Sequence, residues 1–479
     1  MTGCDVGHVT IDTLPDDALL YVFDFYVAQA PEVEAWHTLV HVCRRWRTLV
    51  FASPRRLNLR IACTNKTPVR EKLDIWPALP IVISGESYST PGIENIEAAL
   101  KLSDRVCQIR LTLMSELDEL LAAIEGPLPA LTDLNLYTTH KAPFDPVPPN
   151  PIKFLSGSTH LRSLTLTGIS VSVIPKLLLS FTDLVNLRLD NIPLFGFFPP
   201  HAIVTALSTL TRLKVLHFGH DNYGQFDLFH PDWERRHLPL PPRAILPSLT
   251  TLKYEGATEY LDDLVAQIDA PLLDHLDIIF TDFNYDRVIV LDTPQLLQFI
   301  SRIPKLQAPD KARIAIGNTH HNFRIDLWRP GQISSIVRLA INSMEPERQF
   351  PCLAQFCRSP LFPLPTLECL YIDGGQGSIR HQWDDAENTR WLELFRPFTF
   401  VKNLFLAMDF APRIAPALQG LVGEGAMDVL PTLESVFIEE FQPSGSVHEA
   451  IGQFVAERRL SGRPIVVSLW DRTGRGTGY

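Results

Sequence analysis

Few residues of this 479-residue chain combine the types and the spacing that catalysis or metal binding requires. The acid pairs at 384–385 and 439–440 are adjacent, which turns the two carboxylates toward different faces instead of pairing them as acid and base. Cys352 and Cys357 have no second pair at zinc spacing, and no histidine lies in an H-E-x-x-H context. The sequence therefore predicts no catalytic residue, no metal site and no enzymatic activity.

Glycines in two places imitate a phosphate-binding loop. Gly474, Gly476 and Gly478 follow the last predicted strand, but no helical pattern comes after them to receive a phosphate at its N-terminus. The run at 374–377 is explained by a loop between a strand and a helix. Residues 472–479 are predicted to form a flexible tail, and no cofactor is predicted.

Composition is that of a globular protein, with 46% hydrophobic and 20% charged residues. No apolar run reaches the roughly 18 residues of a membrane span, and the first residues show no secretory signal. Seven scattered cysteines argue against a disulfide framework. A net charge of −11 disfavours nucleic acid as a general partner. We expect a cytoplasmic or nuclear protein that binds neither membrane nor nucleic acid.

Two predicted helices between residues 13 and 57 carry the densest pattern. The first has Thr13 as a potential N-cap and acids in its first turn. Its apolar residues follow the spacing of one buried helical face: Leu19, Val22, Phe23 and Tyr26. The second helix repeats that spacing: Leu39, Val42, Cys43, Trp46, Leu49 and Val50. It should end at Ser53, because a residue before proline leaves the helical region.

This pattern resembles the F-box, a helical motif that docks onto the Skp-family adaptor of cullin–RING ubiquitin ligases. The resemblance rests on residues 14–23 (LPDDALLYVF) and 39–47 (LVHVCRRWR), and the loop at 27–34 is longer than the usual F-box connection. It implies that the following residues bind the adaptor: Leu14, Pro15, Leu19, Val22, Phe23, Leu39, Val42 and Trp46. An alternative is a helical hairpin that only caps the next domain.

The segment from Arg44 to Lys72 is basic, with nine Lys or Arg residues against one acid, Glu71. Such a segment can be an ordinary solvated surface, a surface that attracts an acidic partner, or a DNA contact. Because acidity is a property of Skp-type adaptors, the F-box resemblance favours the second explanation.

Residues 58–105 are predicted to link this F-box domain (1–57) to the rest of the chain. Prolines divide the linker, which should contain a helix at 69–76 and a first strand at 81–84. A helix at 93–102, a strand at 106–113 and a helix at 117–124 should follow.

The pattern L-x-x-L-x-L, with apolar replacements, recurs nine times. The copies lie at 131–136, 161–166, 184–189, 213–218, 249–254, 273–278, 367–372, 401–406 and 433–438. Four share the lead-in Leu-Pro-x-Leu, at 128–131, 246–249, 364–367 and 430–433. Each unit would form a short strand and a return segment that can bury its apolar face only against its neighbours.

These units are similar to leucine-rich repeats, which implies an α/β fold class: a short helical F-box, then an irregular solenoid over residues 106–471. The resemblance implies a curved parallel sheet with helices and loops on its convex side. The first six copies are 30, 23, 29, 36 and 24 residues apart, less regular than the usual spacing of about 20 to 29. Proline-dense insertions at 143–151 and 239–247 should be surface loops.

The repeat pattern fades between 278 and 367. Strands are still predicted at 313–316, 323–327 and 336–341. Helices at 391–395, 413–422 and 448–460 and a closing strand at 464–469 should complete the last units.

Side chains between the motif leucines should point out of the sheet, because side chains alternate along a strand. We select as candidate target-binding residues Tyr137, Arg188, His217, Lys253, Tyr371, Phe405 and Phe437. The last three would form a row of aromatic rings on neighbouring strands. Alternatively, a C-terminal extension or a nearby loop covers that row.

An F-box followed by irregular leucine-rich repeats resembles the expanded F-box protein sets of mushroom-forming fungi. The resemblance implies a substrate receptor of an SCF-type (Skp, cullin, F-box) ubiquitin ligase, with the repeats binding an unknown protein. Two alternatives remain: a repeat scaffold with no role in degradation, and an enzyme within residues 281–362, where the repeat pattern fades.

Overall fold

The structure is a computed structural model. It describes residues 11–30, 32–64, 69–86, 90–113, 124, 126–138, 155, 157–169, 174–193, 198–220, 243–281, 293–316, 323–342, 354, 357, 366–374, 386–421, 428–439 and 445–470. The chain divides into unit 1 (residues 1–173 and 180–184) and unit 2 (174–179 and 185–479). The sequence did not predict this division. Among the described residues, no helix is both long and apolar enough to cross a membrane.

Unit 1 combines short helices with a parallel sheet. Its helices are α1 (Asp16–Gln29), α2 (Trp36–Val40), α3 (Arg44–Ala52), α4 (Val69–Ile75) and α5 (Thr90–Leu100). Its strands are β1 (Ile61–Thr64), β2 (Ile81–Glu86), β3 (Val106–Leu113), β4 (Asp133–Thr138) and β5 (Ser163–Thr167).

Unit 2 continues the alternation of strands and helices. Its helices are α6 (Ile174–Leu178), α7 (Pro200–Leu207), α8 (Thr258–Ala266), α9 (Pro294–Ser301), α10 (Ala386–Phe395), α11 (Ala411–Gln419) and α12 (Gly445–Leu460). Its strands are β6 (Asn186–Ile192), β7 (Val215–His220), β8 (Ala244–Ile245), β9 (Thr251–Gly256), β10 (Ile268–Asp269), β11 (His275–Thr281), β12 (Lys311–Ile316), β13 (Phe323–Trp328), β14 (Val337–Asn342), β15 (Cys369–Gly374), β16 (Asn403–Leu406), β17 (Ser435–Glu439) and β18 (Val466–Trp470).

Helix α1 buries a different face from the predicted one. Leu19, Leu20 and Phe23 are buried, whereas Val22 and Tyr26 are exposed, so their assignment to the buried face is wrong. The helix is apolar around most of its circumference, and i, i+3, i+4 spacing alone then fits more than one face.

The start of α1 also differs from the prediction. The N-cap residue is Pro15 and not Thr13, so the predicted N-cap is wrong. Asp16 and Asp17 lie in the first turn, where their charges favour the helix dipole.

The predicted second helix is two helices, because residues 41–43 leave the helical path. Cys43 is the N-cap of α3, with an extended backbone, and its Sγ accepts a hydrogen bond from the backbone N–H of Trp46 at 3.5 Å. Cysteine is not among the usual N-cap residues, so nothing in the sequence marked a helix start at Cys43. The apolar spacing alone then predicted one continuous helix. Helix α3 ends at Ala52, just before Ser53, as predicted.

Trp36 and Glu34 fix these helices to the rest of unit 1. The Trp36 indole is fully buried and donates through Nε1 to the carbonyl oxygen of Arg60 at 2.8 Å. Glu34 accepts the backbone N–H of Ala62 at 2.9 Å and pairs with Lys72 Nζ at 2.7 Å. The helical segment is therefore attached to β1 and α4 by partly buried contacts.

The strands of unit 1 pair in the order β1-β2-β3-β4-β5, all in parallel. The predicted strands at 81–84 and 106–113 are confirmed as β2 and β3, and the helices at 69–76 and 93–102 as α4 and α5. The sheet begins at Ile61, inside the segment interpreted as a linker. The predicted helix at 117–124 lies outside the described residues except for residue 124.

In unit 2 the main sheet has the order β6-β7-β9-β11-β14-β13-β12-β15-β16-β17-β18. Strands β12 to β14 enter it in reverse order, and β13 runs antiparallel to both neighbours. The predicted strands at 313–316, 323–327 and 336–341 are confirmed, and the predicted parallel sheet is mostly parallel, with β13 as the exception here. This reversed insertion explains why the repeat pattern fades between 278 and 367.

All nine motif copies form strands, and their three motif positions are at most 8% exposed. Each fully buried leucine contributes roughly 1.5–3 kcal/mol relative to an exposed one. Parallel pairing places equivalent positions side by side, for example Leu370, Leu404 and Val436. Successive repeats therefore share one apolar layer.

In the three copies that the structure describes in full, at 128–131, 246–249 and 430–433, the Leu-Pro-x-Leu lead-in forms a tight turn before the strand. In one copy the backbone N–H of Leu433 donates to the carbonyl oxygen of Leu430 at 3.0 Å. The third residue of the lead-in bonds the turn to the preceding repeat. The Ser248 hydroxyl donates to the Thr211 carbonyl at 2.8 Å, and the Thr432 hydroxyl donates to the Thr399 carbonyl at 3.0 Å. The lead-in thus links repeats by hydrogen bonds.

The predicted helices at 391–395, 413–422 and 448–460 are confirmed as α10, α11 and α12, and the closing strand as β18. The insertion at 143–151 and the tail at 472–479 lie outside the described residues. Of the insertion at 239–247, only residues 243–247 are described, and they contain β8, which pairs with β10.

An aromatic cluster closes the end of β7 and β9. The His220 imidazole is buried against the ring of Phe218 at 4.9 Å and the ring of Tyr260 at 4.8 Å between centroids. Burial lowers the pKa of His220 from 6.5 to about 3, because the apolar surroundings disfavour the charged form.

We expect stability to fall as pH drops below 6.5, because His220 then binds a proton in the unfolded chain but not in the folded one. The cost is roughly 1.4 kcal/mol per pH unit until the folded pKa is reached. Urea unfolding at pH 7.5, 6 and 5 should show wild type losing stability relative to His220→Phe by about this slope. Parallel pH curves for the two proteins would contradict the assignment.

Candidate functional site

One face of α1 is apolar and open to solvent. Tyr21, Val22, Phe25 and Tyr26 form this face, here called the α1 outer stripe, with Tyr21 71% and Phe25 69% exposed. Helical geometry places Tyr21 and Phe25 on the side opposite Leu19 and Phe23, with Val22 and Tyr26 along the border between the two faces. An exposed patch of this kind on a folded domain is typical of a binding surface.

The eight predicted adaptor-binding residues fall into two groups. Leu19, Phe23 and Leu39 are buried inside unit 1, so they support the helices and present no surface in this structure. The other five keep part or all of their surface exposed: Leu14, Pro15, Val22, Val42 and Trp46. Spacing alone could not separate these groups, because it does not say which face is covered.

Tyr21 and Phe25 were not selected from the sequence. The signal was present, because ten of the fourteen residues of α1 are apolar or aromatic, more than one buried face needs. A short surface helix with apolar residues on both faces predicts a partner for the second face.

Basic side chains border the outer stripe. The guanidinium carbon of Arg56 lies 4.7 Å from the centroid of the Tyr21 ring, a cation–π contact. Arg45 pairs with Asp16 at 2.6 Å and also donates to the carbonyl oxygen of Leu14 at 2.6 Å. Arg45 thus locks the start of α1 to α3, while Arg44, Arg47, Arg55 and Arg56 remain exposed.

A second surface is the outer face of the sheet in unit 2. One lateral row crosses the strands in register: Arg188, His217, Lys253, Asp277, Arg338, Asp326, Arg313, Tyr371, Phe405 and Phe437. Six of these ten are the target-binding residues predicted for this part of the chain. Tyr137, the seventh candidate, lies on β4 in unit 1, in register with Thr112 and Thr167.

Buried carboxylates hold the arginines of this row. Asp326 is 1% exposed and accepts hydrogen bonds from Arg324 Nε and Arg338 Nε, each at 2.9 Å. Asp373 is fully buried and pairs with Arg313 at 2.8 Å. Charge-assisted hydrogen bonds of this length fix the orientation of the guanidinium groups.

At the other end of the row, Asp190 binds both His217 and Arg188. Asp190 Oδ1 lies 2.9 Å from His217 Nε2, and Asp190 Oδ2 pairs with Arg188 Nε. Burial alone would raise the pKa of Asp190, but the hydrogen bonds and charges of His217 and Arg188 outweigh it and lower that pKa. His217 is itself buried, so its role is to hold Asp190 and not to present a surface.

Aromatic rings continue the row beyond Arg313. The Tyr371 and Phe405 rings stack with centroids 4.2 Å apart, and the Phe405 and Phe437 rings with centroids 4.5 Å apart. Trp470, from β18, meets the Phe405 ring edge-on at 5.5 Å. The predicted aromatic row forms, and Trp470 covers part of it while the three rings stay partly exposed.

The arginines of β12, β13 and β14 were missed by the sequence analysis, because their strands carry no repeat motif. Alternation could have found them: in Arg313 to Ile316 and Val337 to Ile341, charged or small residues alternate with buried aliphatic ones. Their place beside the aromatic row depends on the reversed strand order, which alternation does not predict.

Metal-binding chemistry can be assessed only for the described residues, in which no cluster of three or more His, Cys, Asp or Glu could hold an ion. Cys352, the acid pair at 384–385, residue 440, the glycines at 375–377 and the tail glycines lie outside them. Cys357 is buried, and burial raises the pKa of its thiol. The described part of residues 281–362 contributes α9 and strands β12 to β14.

No protein-family model matches the sequence, and no curated protein matches it significantly. The functional argument therefore depends on the chain's own surfaces.

Replacing Asp326 by Asn should lower the free energy of unfolding by about 2–3 kcal/mol, because two charge-assisted hydrogen bonds to a buried carboxylate are weakened. Urea unfolding measures the change. The matched control is Asp277→Asn, whose carboxylate lies 3.6 Å from Arg338 and is more exposed. That variant should lose less than about 1 kcal/mol. Equal losses would contradict a special role for Asp326.

Proposed function

We propose that this protein is a non-enzymatic substrate receptor: α1 to α3 bind an acidic Skp-family adaptor of a cullin–RING ubiquitin ligase, and the sheet face of unit 2 binds a target protein. The α1 outer stripe carries the proposal. It is the surface that a helical docking partner would cover, and it lies within the residues that resemble an F-box.

The buried contacts of α1 to α3 favour docking over simple capping. Leu19, Phe23 and Trp36 already pack these helices into unit 1, so the helices meet the needs of a cap through their inner face. The outer stripe adds nothing to that role and exposes large apolar side chains to water. A partner that buries Tyr21 and Phe25 would gain roughly 25 cal/mol for each Å² of apolar surface removed from water.

The charge around the stripe fits an acidic partner. Arg44, Arg47, Arg55 and Arg56 are exposed near α1 and α3, while the chain as a whole carries a net charge of −11. A local basic surface on an acidic protein attracts an acidic protein to that place and repels it elsewhere. Nucleic acid is disfavoured by the same net charge.

Replacing Val22 and Phe25 together by Ser should abolish co-purification of the Skp-family adaptor with the full chain, because it removes apolar area at the centre of the stripe. Both side chains are exposed, so folding should be unaffected. Co-expression with the adaptor, affinity capture at moderate salt and quantification of the adaptor measure the effect.

The matched control is Ile333→Ser in unit 2, where the side chain is 91% exposed and outside the stripe. It should retain the adaptor at the wild-type level. If neither wild type nor the control retains the adaptor, the receptor proposal fails. If wild type binds but target turnover in cells does not change on deletion of the gene, the repeat-scaffold alternative takes its place.

A further inference from the structure

We infer that the outer face of unit 2 recognises an acidic peptide segment that carries a large apolar or aromatic residue two to four positions from its acid. The inference deepens the proposed function by naming a class of target. It rests on two independent features of this face: solvent-facing arginines held by buried carboxylates in and next to the lateral row, and the stacked aromatic rings that continue the row.

The first feature is that the positively charged groups lie nearer the surface than the carboxylates that they pair with. The side chains of Arg338 and Arg324 are 42% and 36% exposed, and that of Asp326, which holds both, is 2% exposed. Arg313 is also more exposed than Asp373, its fully buried partner. A ligand approaching this face therefore meets guanidinium groups first. Their charge-assisted hydrogen bonds to carboxylates would be the natural contact.

The arginines are also fixed in place before any ligand arrives. Asp326 binds both Arg324 and Arg338 through their Nε atoms. Arg338 Nη1 also lies 3.6 Å from Asp277, so a second acceptor would approach the terminal Nη atoms of Arg324. Ala315 and Ala340 lie in register on either side of Arg324. Small side chains there leave room around its guanidinium group, and pre-oriented donors reduce the entropy lost on binding.

The second feature is the aromatic row. Tyr371 is in register with Arg313, and the stacked rings of Phe405 and Phe437 continue from it. Stacked rings standing on a sheet present their edges, which carry partial positive charge, together with apolar surface. This end of the row suits an aromatic or aliphatic side chain and not a cation.

The spacing between the two features sets the spacing within the peptide. Neighbouring strands lie about 4.8 Å apart, so β13 and β14 are roughly 10 and 14 Å from β15 across the sheet. An extended peptide advances about 3.3 Å per residue. An acid at Arg324 and an apolar residue on Tyr371 or Phe405 are thus separated by about 10 to 14 Å, or roughly three to four residues of extended chain.

Selection from a random 12-residue peptide phage library on the full chain, without adaptor, tests the inference. Enriched sequences should contain Asp or Glu two to four residues from Phe, Tyr, Trp or Leu. The same selection on Arg324→Gln should lose that enrichment. Arg459→Gln, an exposed arginine on α12, is the matched control and should keep it.

Synthetic fluorescein-labelled copies of an enriched peptide give the second measurement. Fluorescence polarisation should show at least tenfold weaker binding when the peptide's acid is changed to Gln, and similarly weaker binding to Phe405→Ser. Thermal unfolding of each variant checks that its fold is retained. Arg324→Gln should stay folded because Arg338 still pairs with Asp326.

Three outcomes would overturn the inference: no enriched sequence, enrichment without acids, or equal enrichment on wild type and Arg324→Gln. Because the adaptor is absent from these measurements, their failure would leave adaptor binding by α1 untouched. Loss of adaptor binding would likewise leave a positive peptide result standing.

Discussion

When β15, β16 and β17 pair in parallel register, Leu370, Leu404 and Val436 come to lie side by side in the core. The same pairing places Tyr371, Phe405 and Phe437 side by side on the outer face. The apolar layer stabilises the sheet, while the outer row keeps part of its surface exposed. A shift of one residue would exchange the two sets, so burial of the leucines fixes the register of the outer face as well.

The same register explains why, on the outer face of unit 2, carboxylates are more deeply buried than the arginines beside them. Carboxylates such as Asp326 and Asp373 lie low on the sheet and are covered by the arginines that they bind. Burying an unpaired carboxylate would cost several kcal/mol, so each needs a cation above it. The outward guanidinium groups follow from this requirement, and the aromatic row continues the same register on β15, β16 and β17.

Several features could be predicted from the sequence because they depend on local pattern. The nine strand motifs, the lead-in turns and the helices α10 to α12 are of this kind. The antiparallel β13 could not be predicted, since its place depends on pairing with strands on both sides. The exposed face of α1 escaped for another reason: when Tyr21 and Phe25 are as apolar as Leu19 and Phe23, only the packing of unit 1 decides which pair is covered.

Amide hydrogen exchange of the full chain, alone and with purified Skp-family adaptor, tests the docking surface most directly. If α1 docks the adaptor, exchange should slow in peptides covering residues 16–29, while peptides covering β15 to β17 exchange at unchanged rates. Unchanged exchange in residues 16–29 at saturating adaptor would contradict the account, because the outer stripe would then have no part in that complex.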